Sequence, residues 1–357
     1  MYYTIDDREN WTTKKRASRV MARRLHALSA HLMLRSEGKM TEHRDKAERY
    51  ARRAARMGSC ADRLRFRACP ECNIRYMIRG ATLCKDRLCP TCTWRRARAL
   101  ARRLKEIVSY NPGRYVLLTL TVKNCDWSDL QAHLKKMLAA WTKLARRARF
   151  KRAFSGWVRT VEITRGKDGL AHPHIHILLH TTEEYFRKDS PLWIPQDEIA
   201  ALWRKCLGVQ YMPVVDIRAV KDIGGAVQEV TKYIAKDAQI EGLADDDFLA
   251  YAEAVAGVRT WAAAGTMRRA DADVTEEELT AGEGEAPTTC PICGREMVET
   301  EDIWSNLERC YNPSCIPPPG GMTIINYGVM YLGAQVCPGD QGAAFPACHD
   351  FRSGPRI

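Results

Sequence analysis

The sequence predicts an α+β domain, a central antiparallel β-sheet with flanking helices, accompanied by small zinc-binding modules. Three observations carry this. Segments with helical and strand-like patterning alternate as helix, strand, helix, hairpin, helix, strand, helix, an order that suits an antiparallel sheet better than a doubly wound parallel one. Two strand-like runs, GWVRTVEITR and HIHILLH, flank the turn signal GKDG. Ten of the 14 cysteines fall in two clusters built on Cys-x-x-Cys pairs.

The elements follow in order. Residues 11–57 are rich in Arg, Lys and Ala with few helix breakers, and predict one or two basic helices. Residues 60–92 form the first cysteine cluster, and TWRRARALARRLKEIV, 93–108, reads as a helix leaving it. RYVLLTLTV, 114–122, is rich in β-branched residues and Leu and reads as a strand. Over 127–148, Leu130, Leu134, Met137, Leu138, Trp141 and Leu144 recur near helical spacing. In the second hairpin strand Ile175, Ile177 and Leu179 share one face, and His174, His176 and Leu178 the other. PQDEIAALWRKCL, 195–207, opens with proline and acidic residues, as helices do. A strand is expected over 211–220, a helix over GGAVQEVTKYIAKD, and a further helix over 246–256. The helices are expected on one sheet face and the metal on the other, with the helix of GGAVQEVTKYIAKD lying across the metal.

Composition narrows the function classes. No run of about 18 apolar residues exists, so no transmembrane helix is expected, and the N-terminus lacks an apolar signal core; a soluble cytoplasmic protein without membrane partners is expected. The formal net charge of +13 is uneven: residues 1–110 hold 28 Lys/Arg against 11 Asp/Glu, whereas residues 271–302 hold one against 11. A basic N-terminal half is the footprint of a polyanion binder. The acidic stretch DADVTEEELTAGEGEA reads as a linker. Without a secretion signal, paired cysteines favour zinc over disulfides.

The residues with the most chemical content are His174 and His176, in HPHIHILLH, and Glu229 and Tyr233, in QEVTKYIAKD. Histidines one residue apart on a strand point to one face and can share a metal ion. Glu162 is the candidate third ligand: if the hairpin closes around GKDG, it comes opposite Pro173 or His174, in a register that a one-residue slip would reverse. Two imidazoles and a carboxylate suit Mn²⁺ or Mg²⁺. Glu229 and Tyr233, four apart on a helix, share a face. A tyrosine with a pKa of about 10 is a weak nucleophile, so a metal and nearby cations such as Lys232 and Lys236 have to assist it. This is equipment for cutting a phosphodiester and holding one end covalently.

LLTLT, HPHIHILL and EVTKYIAK, in that order, resemble the three motifs of HUH endonucleases, and most closely those of initiators that replicate small plasmids by rolling circle. The resemblance runs from about residue 58 to 270 and includes CKDRLCPTCTWRR, which is similar to a cysteine segment preceding the first motif in one branch. It implies that Leu118-Thr119-Leu120-Thr121 is the first motif, that His174 and His176 bind the metal, that Tyr233 is the nucleophile, and that Glu229 acts as a base in the final step. It also implies single-stranded origin DNA as substrate and a host helicase and DNA polymerase as partners; the chain has no Walker-type loop of its own. The expected organisation is a basic helical extension (1–57), a zinc module with its helix (58–110), the nuclease domain (111–270), an acidic linker (271–288) and a C-terminal zinc-ribbon-like module with a tail (289–357).

For the first cysteine cluster, Cys69, Cys72, Cys89 and Cys92 are the expected zinc set, with Cys60 and Cys84 as alternates that would give Cys60, Cys84, Cys89 and Cys92. Arg87, Arg95 and Arg96 lie beside it and are candidate DNA phosphate contacts. Cys290, Cys293, Cys310 and Cys315 are the expected second zinc set. Two readings compete with the initiator: a single-strand transposase or mobilisation relaxase with the same chemistry, and a non-catalytic zinc-dependent DNA-binding regulator.

Overall fold

The computed structural model describes residues 5–35, 41–72, 74–78, 81–235, 242–271, 274 and 286–313. The chain opens with α1 (Ile5–Leu34) and α2 (Thr41–Gly58), then β1 (Arg63–Ala68), β2 (Arg75–Met77), α3 (Pro90–Tyr110) and β3 (Arg114–Thr121). It continues through α4 (Leu130–Ala145), α5 (Ala148–Ala153), β4 (Gly156–Arg165), β5 (Ala171–Thr181) and α6 (Gln196–Leu207). β6 (Val215–Ala219), α7 (Ile223–Ala235), α8 (Asp245–Ala256), β7 (Trp261–Gly265), β8 (Val298–Ser305) and β9 (Cys310–Pro313) follow.

The central sheet has the order β6-β3-β5-β4-β7, and every neighbouring pair is antiparallel. β5 lies in the middle and is buried on both faces, which is why its sequence is apolar even between the histidines. Ile175, Ile177 and Leu179 face a core filled by Leu134, Met137 and Trp141 of α4 and by Ile199 and Trp203 of α6. Trp203 also ties α6 to the sheet, its indole N–H donating to the Thr121 carbonyl at 2.9 Å.

Helices occupy both faces: α7 lies on the histidine face, as expected, and α3 joins it there. On the histidine face, Leu104 and Ile107 of α3 and Ala226, Val227 and Val230 of α7 pack over Val158 and Leu178. That apolar cluster covers one half of the face and leaves the half around His174 and His176 to polar side chains. α3 is longer than expected because Pro90, at its first turn, needs no hydrogen-bond partner for its nitrogen.

The strand β7 was not expected: WAAAG has the composition of a helix. It pairs with β4 from Gly156↔Gly265 to Thr160↔Trp261. Tertiary contacts override the alanine preference, the Trp261 indole donating to the Ala270 carbonyl at 2.7 Å.

A second sheet has the order β2-β1-β8-β9 and joins strands that lie far apart in the chain. The C-terminal cysteine segment does not stand as a module of its own: β8 pairs along the whole of β1, from Arg63↔Ile303 to Ala68↔Val298. The N-terminal helices are also built in. Lys15 of α1 is fully buried, and its ammonium donates to the carbonyls of Gly58 and Cys60 and to Asp62 at 3.0, 2.6 and 2.6 Å.

Gly265 ends β7 with φ +62°, and a Cβ there would lie 2.1 Å from the Ser155 carbonyl oxygen. Gly265→Ala is therefore expected to lower unfolding free energy by about 2–4 kcal/mol, combining left-handed strain with overpacking; denaturant unfolding measures it.

Candidate metal centre

The metal centre is set by the pairing of β4 with β5. Glu162 stands directly opposite His174, one of the two positions the sequence allowed, and Thr160 stands opposite His176. On the other side of β5, Thr121 and Thr119 of β3 oppose His174 and His176. All six positions share one face, because strand side chains alternate.

Both histidines direct Nε2 at the same oxygen, Oε2 of Glu162, His176 at 2.9 Å and His174 closer still. The three possible ligand atoms lie within 4.8 Å of one another. The histidine side chains are 11% exposed and the glutamate 5%, so the centre is recessed yet reachable. A borderline set of two imidazoles and one carboxylate, open on one side, fits a divalent ion that keeps positions for other oxygens. Thr119 Oγ lies 3.2 Å from His176 Nδ1. With the proton on Nδ1, that ring donates to Thr119 and presents its Nε2 lone pair to a metal. Burial pushes His176 below the ordinary imidazole value, partly offset by the hydrogen bond to Glu162. The neutral imidazole is the ligand form.

α7 brings Glu229 to this face, where its charge acts on His176. Asp222 caps the start of α7, accepting hydrogen bonds from the N–H groups of Gly224 and Gly225 at 3.0 and 2.7 Å. Position 233 lies one turn beyond Glu229 in the same helix. The side chains of Lys232 and Tyr233, and the whole of Lys236, lie outside the described residues.

The cysteines assemble differently from the expected pairing. Cys69 and Cys72 do not join Cys89 and Cys92. Instead Cys60, Cys84, Cys89 and Cys92, the alternate set, form one group, and Cys69, Cys72, Cys290 and Cys293 another. The reason is topological: Cys69 and Cys72 sit on the β1–β2 hairpin that pairs with β8, whereas Cys89 and Cys92 open α3. Cys310 is on β9, beside Asn312 and Glu308, and is not in the second group; Cys315 lies outside the described residues.

In the first group, sulfur separations of 3.5–3.6 Å link Cys60 to Cys92, Cys84 to Cys92 and Cys89 to Cys60. A tetrahedron with Zn–S bonds of about 2.3 Å places its sulfurs about 3.8 Å apart, so the group fits zinc. Donors surround the sulfurs, as thiolates require. The N–H groups of Cys84 and Lys85 point at Cys60 and Cys92 from 3.4 and 3.3 Å, and the Ser18 hydroxyl lies 3.3 Å from Cys89. Hydrogen bonds from Cys60 hold the Cys89 thiol below its ordinary value. Cys89 and Cys92 also sit at the start of α3, where the helix dipole favours anions.

Of the three arginines expected to meet DNA, Arg95 is buried against the rings of Trp11 and Trp94, which corrects that assignment. Arg96 is half-buried and donates to the carbonyls of Lys85 and Asp86. Arg87 is exposed and donates to the Val258 carbonyl at 2.7 Å. The pattern Trp-Arg-Arg does not reveal which arginine turns inward; Trp11, remote in sequence, decides it. Thr119 and Ser18 were not picked out as supports, because a lone hydroxyl has no sequence signature.

The replication-protein family profile matches residues 75–289, and the chain belongs to this family. "Protein rep" of Streptococcus pneumoniae serotype 2 is 35% identical over 196 residues, 52% of this chain and 61% of that protein. "Protein rep" of Bacillus amyloliquefaciens is 32% identical over 256 residues, 65% of this chain and 70% of its own length. That of Lactiplantibacillus plantarum is 33% identical over 251 residues, 65% and 78% respectively. The chain thus spans about 61% of the pneumococcal relative's length. No solved structure matches it. Among the described residues no helix is long and apolar enough to cross a membrane.

Two outcomes follow from this geometry. Thr119→Val should weaken Mn²⁺ binding about 10–100-fold, because the His176 ring loses its orienting partner; titration calorimetry reads this directly. His172, His176 and His180 are all held below 6.5, in each case first by burial. As pH falls the unfolded chain therefore binds these protons first, so their contribution to stability is full above about pH 6.5 and declines below it. The urea midpoint of metal-free protein should fall between pH 7 and 5.5, and fall less steeply in His180→Gln.

Proposed function

We propose that this chain is a rolling-circle replication initiator that nicks single-stranded origin DNA through a tyrosine nucleophile. The observation that carries the reading is the Glu162–His174–His176 cluster on the sheet face to which α7 brings Glu229, one turn before Tyr233. Membership of the replication-protein family agrees with it.

Glu162, His174 and His176 would hold a divalent ion such as Mn²⁺ or Mg²⁺, which would supply positive charge to the scissile phosphate. Thr119 fixes the His176 ring. Tyr233 Oη attacks phosphorus and gives up its proton; the P–O3′ bond breaks, and the departing 3′ oxygen takes a proton. The products are a 5′-phosphotyrosine and a free 3′-hydroxyl, which primes a host polymerase while a host helicase opens the duplex. Lys232 and Lys236 steady the phosphate. At the end of a round Glu229 takes a proton from water as that water attacks the phosphotyrosine, and the bond to Tyr233 breaks. A second tyrosine is then unnecessary. The cysteine group at the start of α3 holds a structural zinc.

The test is a denaturation-resistant adduct between the protein and labelled single-stranded oligonucleotides in Mn²⁺. Wild type is expected to form it and Tyr233→Phe to lose it. An adduct surviving in Tyr233→Phe would mean another nucleophile; tight DNA binding with no adduct in either would favour the non-catalytic regulator. Glu229→Gln should still form the adduct but release it by hydrolysis about 10²–10⁴-fold more slowly.

A further inference from the structure

Cys69 and Cys72 lie before the family-matched region and Cys290 and Cys293 after it, yet the four form one group. We propose that Cys69, Cys72, Cys290 and Cys293 bind one structural zinc ion, in a ribbon split across the chain that fastens the two ends of the nuclease region together. The site is independent of the nuclease reading.

Each half is a hairpin tip with the same spelling, Cys69-Pro70-Glu71-Cys72 and Cys290-Pro291-Ile292-Cys293. In the first, the Cys69 N–H donates to the Ile74 carbonyl at 2.9 Å, and the Cys72 N–H points at Cys69 Sγ from 3.3 Å. In the second, the Cys290 N–H donates to the Arg295 carbonyl at 2.7 Å and the Gly294 N–H to the Cys290 carbonyl at 2.9 Å. Gly294 has φ +74°, which turns the chain sharply behind Cys293. Two such knuckles, each presenting two sulfurs, are the halves of a four-cysteine zinc ribbon.

The halves meet. The four sulfurs lie within 4.8 Å of one another, and Cys69 Sγ is 3.5 Å from Cys293 Sγ. No disulfide joins any described cysteine. Arg295 of one knuckle pairs with Glu71 of the other at 2.7 Å. Met297, Ile74 and Tyr76 pack beside the sulfurs and shield one side of the site. Four sulfurs converging from hairpins more than two hundred residues apart would be an unfavourable cluster of thiolates without a cation, and zinc resolves it.

The experiment measures zinc per chain by native mass spectrometry on the full-length protein. Cys293→Ser and Cys72→Ser should each lose one zinc equivalent relative to wild type, while Cys310→Ser loses none. Retention of the remaining equivalent in each variant shows that the protein has folded. Unchanged zinc in Cys293→Ser, loss in Cys310→Ser, or iron in place of zinc would overturn the assignment. A protease site placed between residues 275 and 285 tests the fastening. After cleavage, a chelator should lower the urea concentration at which the C-terminal piece separates from the rest; an unchanged separation point would overturn the fastening role.

Discussion

The register of β4 against β5 is the constraint on which the Glu162–His174–His176 cluster depends. Glu162 faces His174 across this pair, and both His174 and His176 reach one carboxylate oxygen. A slip of one residue would turn Glu162 into the apolar core and replace it on the histidine face with a neighbour that cannot bind metal. The register is held from the other face, where Ile175, Ile177 and Leu179 pack with Val161 and Ile163 in a closed core. The chemistry of one face is thus specified by the hydrophobic pattern of the other.

α3 couples the first cysteine group to that sheet. Its first turn carries Cys89 and Cys92, and its last turns carry Leu104 and Ile107, which pack in the same cluster as Ala226, Val227 and Val230 of α7. The helix bearing Glu229 and Tyr233 therefore rests on an element whose beginning is tied to Cys60 and Cys84. α1 adds a further tie, with Ser18 against Cys89 and Thr91 and Lys15 against the carbonyl of Cys60. A cluster remote from the metal centre in sequence is in this way part of its support.

The uneven charge also has a partly internal meaning. Arg63 and Arg65 of β1 pair with Glu301 and Glu299 of β8 at 3.2 and 3.1 Å, and Arg75 reaches the buried Asp302 at 2.7 Å. The two exposed arginine–glutamate pairs contribute only about 0–1 kcal/mol each. Their value lies in bringing together two strands that are far apart in sequence, because the charged residues of β1 are all basic and those of β8 all acidic. Part of the basic character of the N-terminal half thus belongs to this sheet and not to a DNA surface.

Much of the fold was legible without coordinates. The alternation of β5, the helical spacing of α4 and the GKDG turn are local patterns, and they placed Glu162 beside the histidine pair because hairpin register follows from a short turn. The family resemblance likewise rested on short ordered motifs. What local pattern does not carry is which distant segments meet. The spacing of Cys69, Cys72, Cys89 and Cys92 looked like one site, yet β8 claims the first pair and α3 the second. WAAAG reads as helix, yet β4 takes it as an edge strand, and Trp-Arg-Arg does not say that Trp11 will bury Arg95. The sequence by itself determined the alternating faces, the helices and the candidate metal-binding groups, because these depend on neighbours a few residues away. Only the tertiary structure decided the partners of each cysteine and arginine, because those pairings are chosen by the packing of elements far apart in sequence, in the case of Cys69 and Cys293 more than two hundred residues.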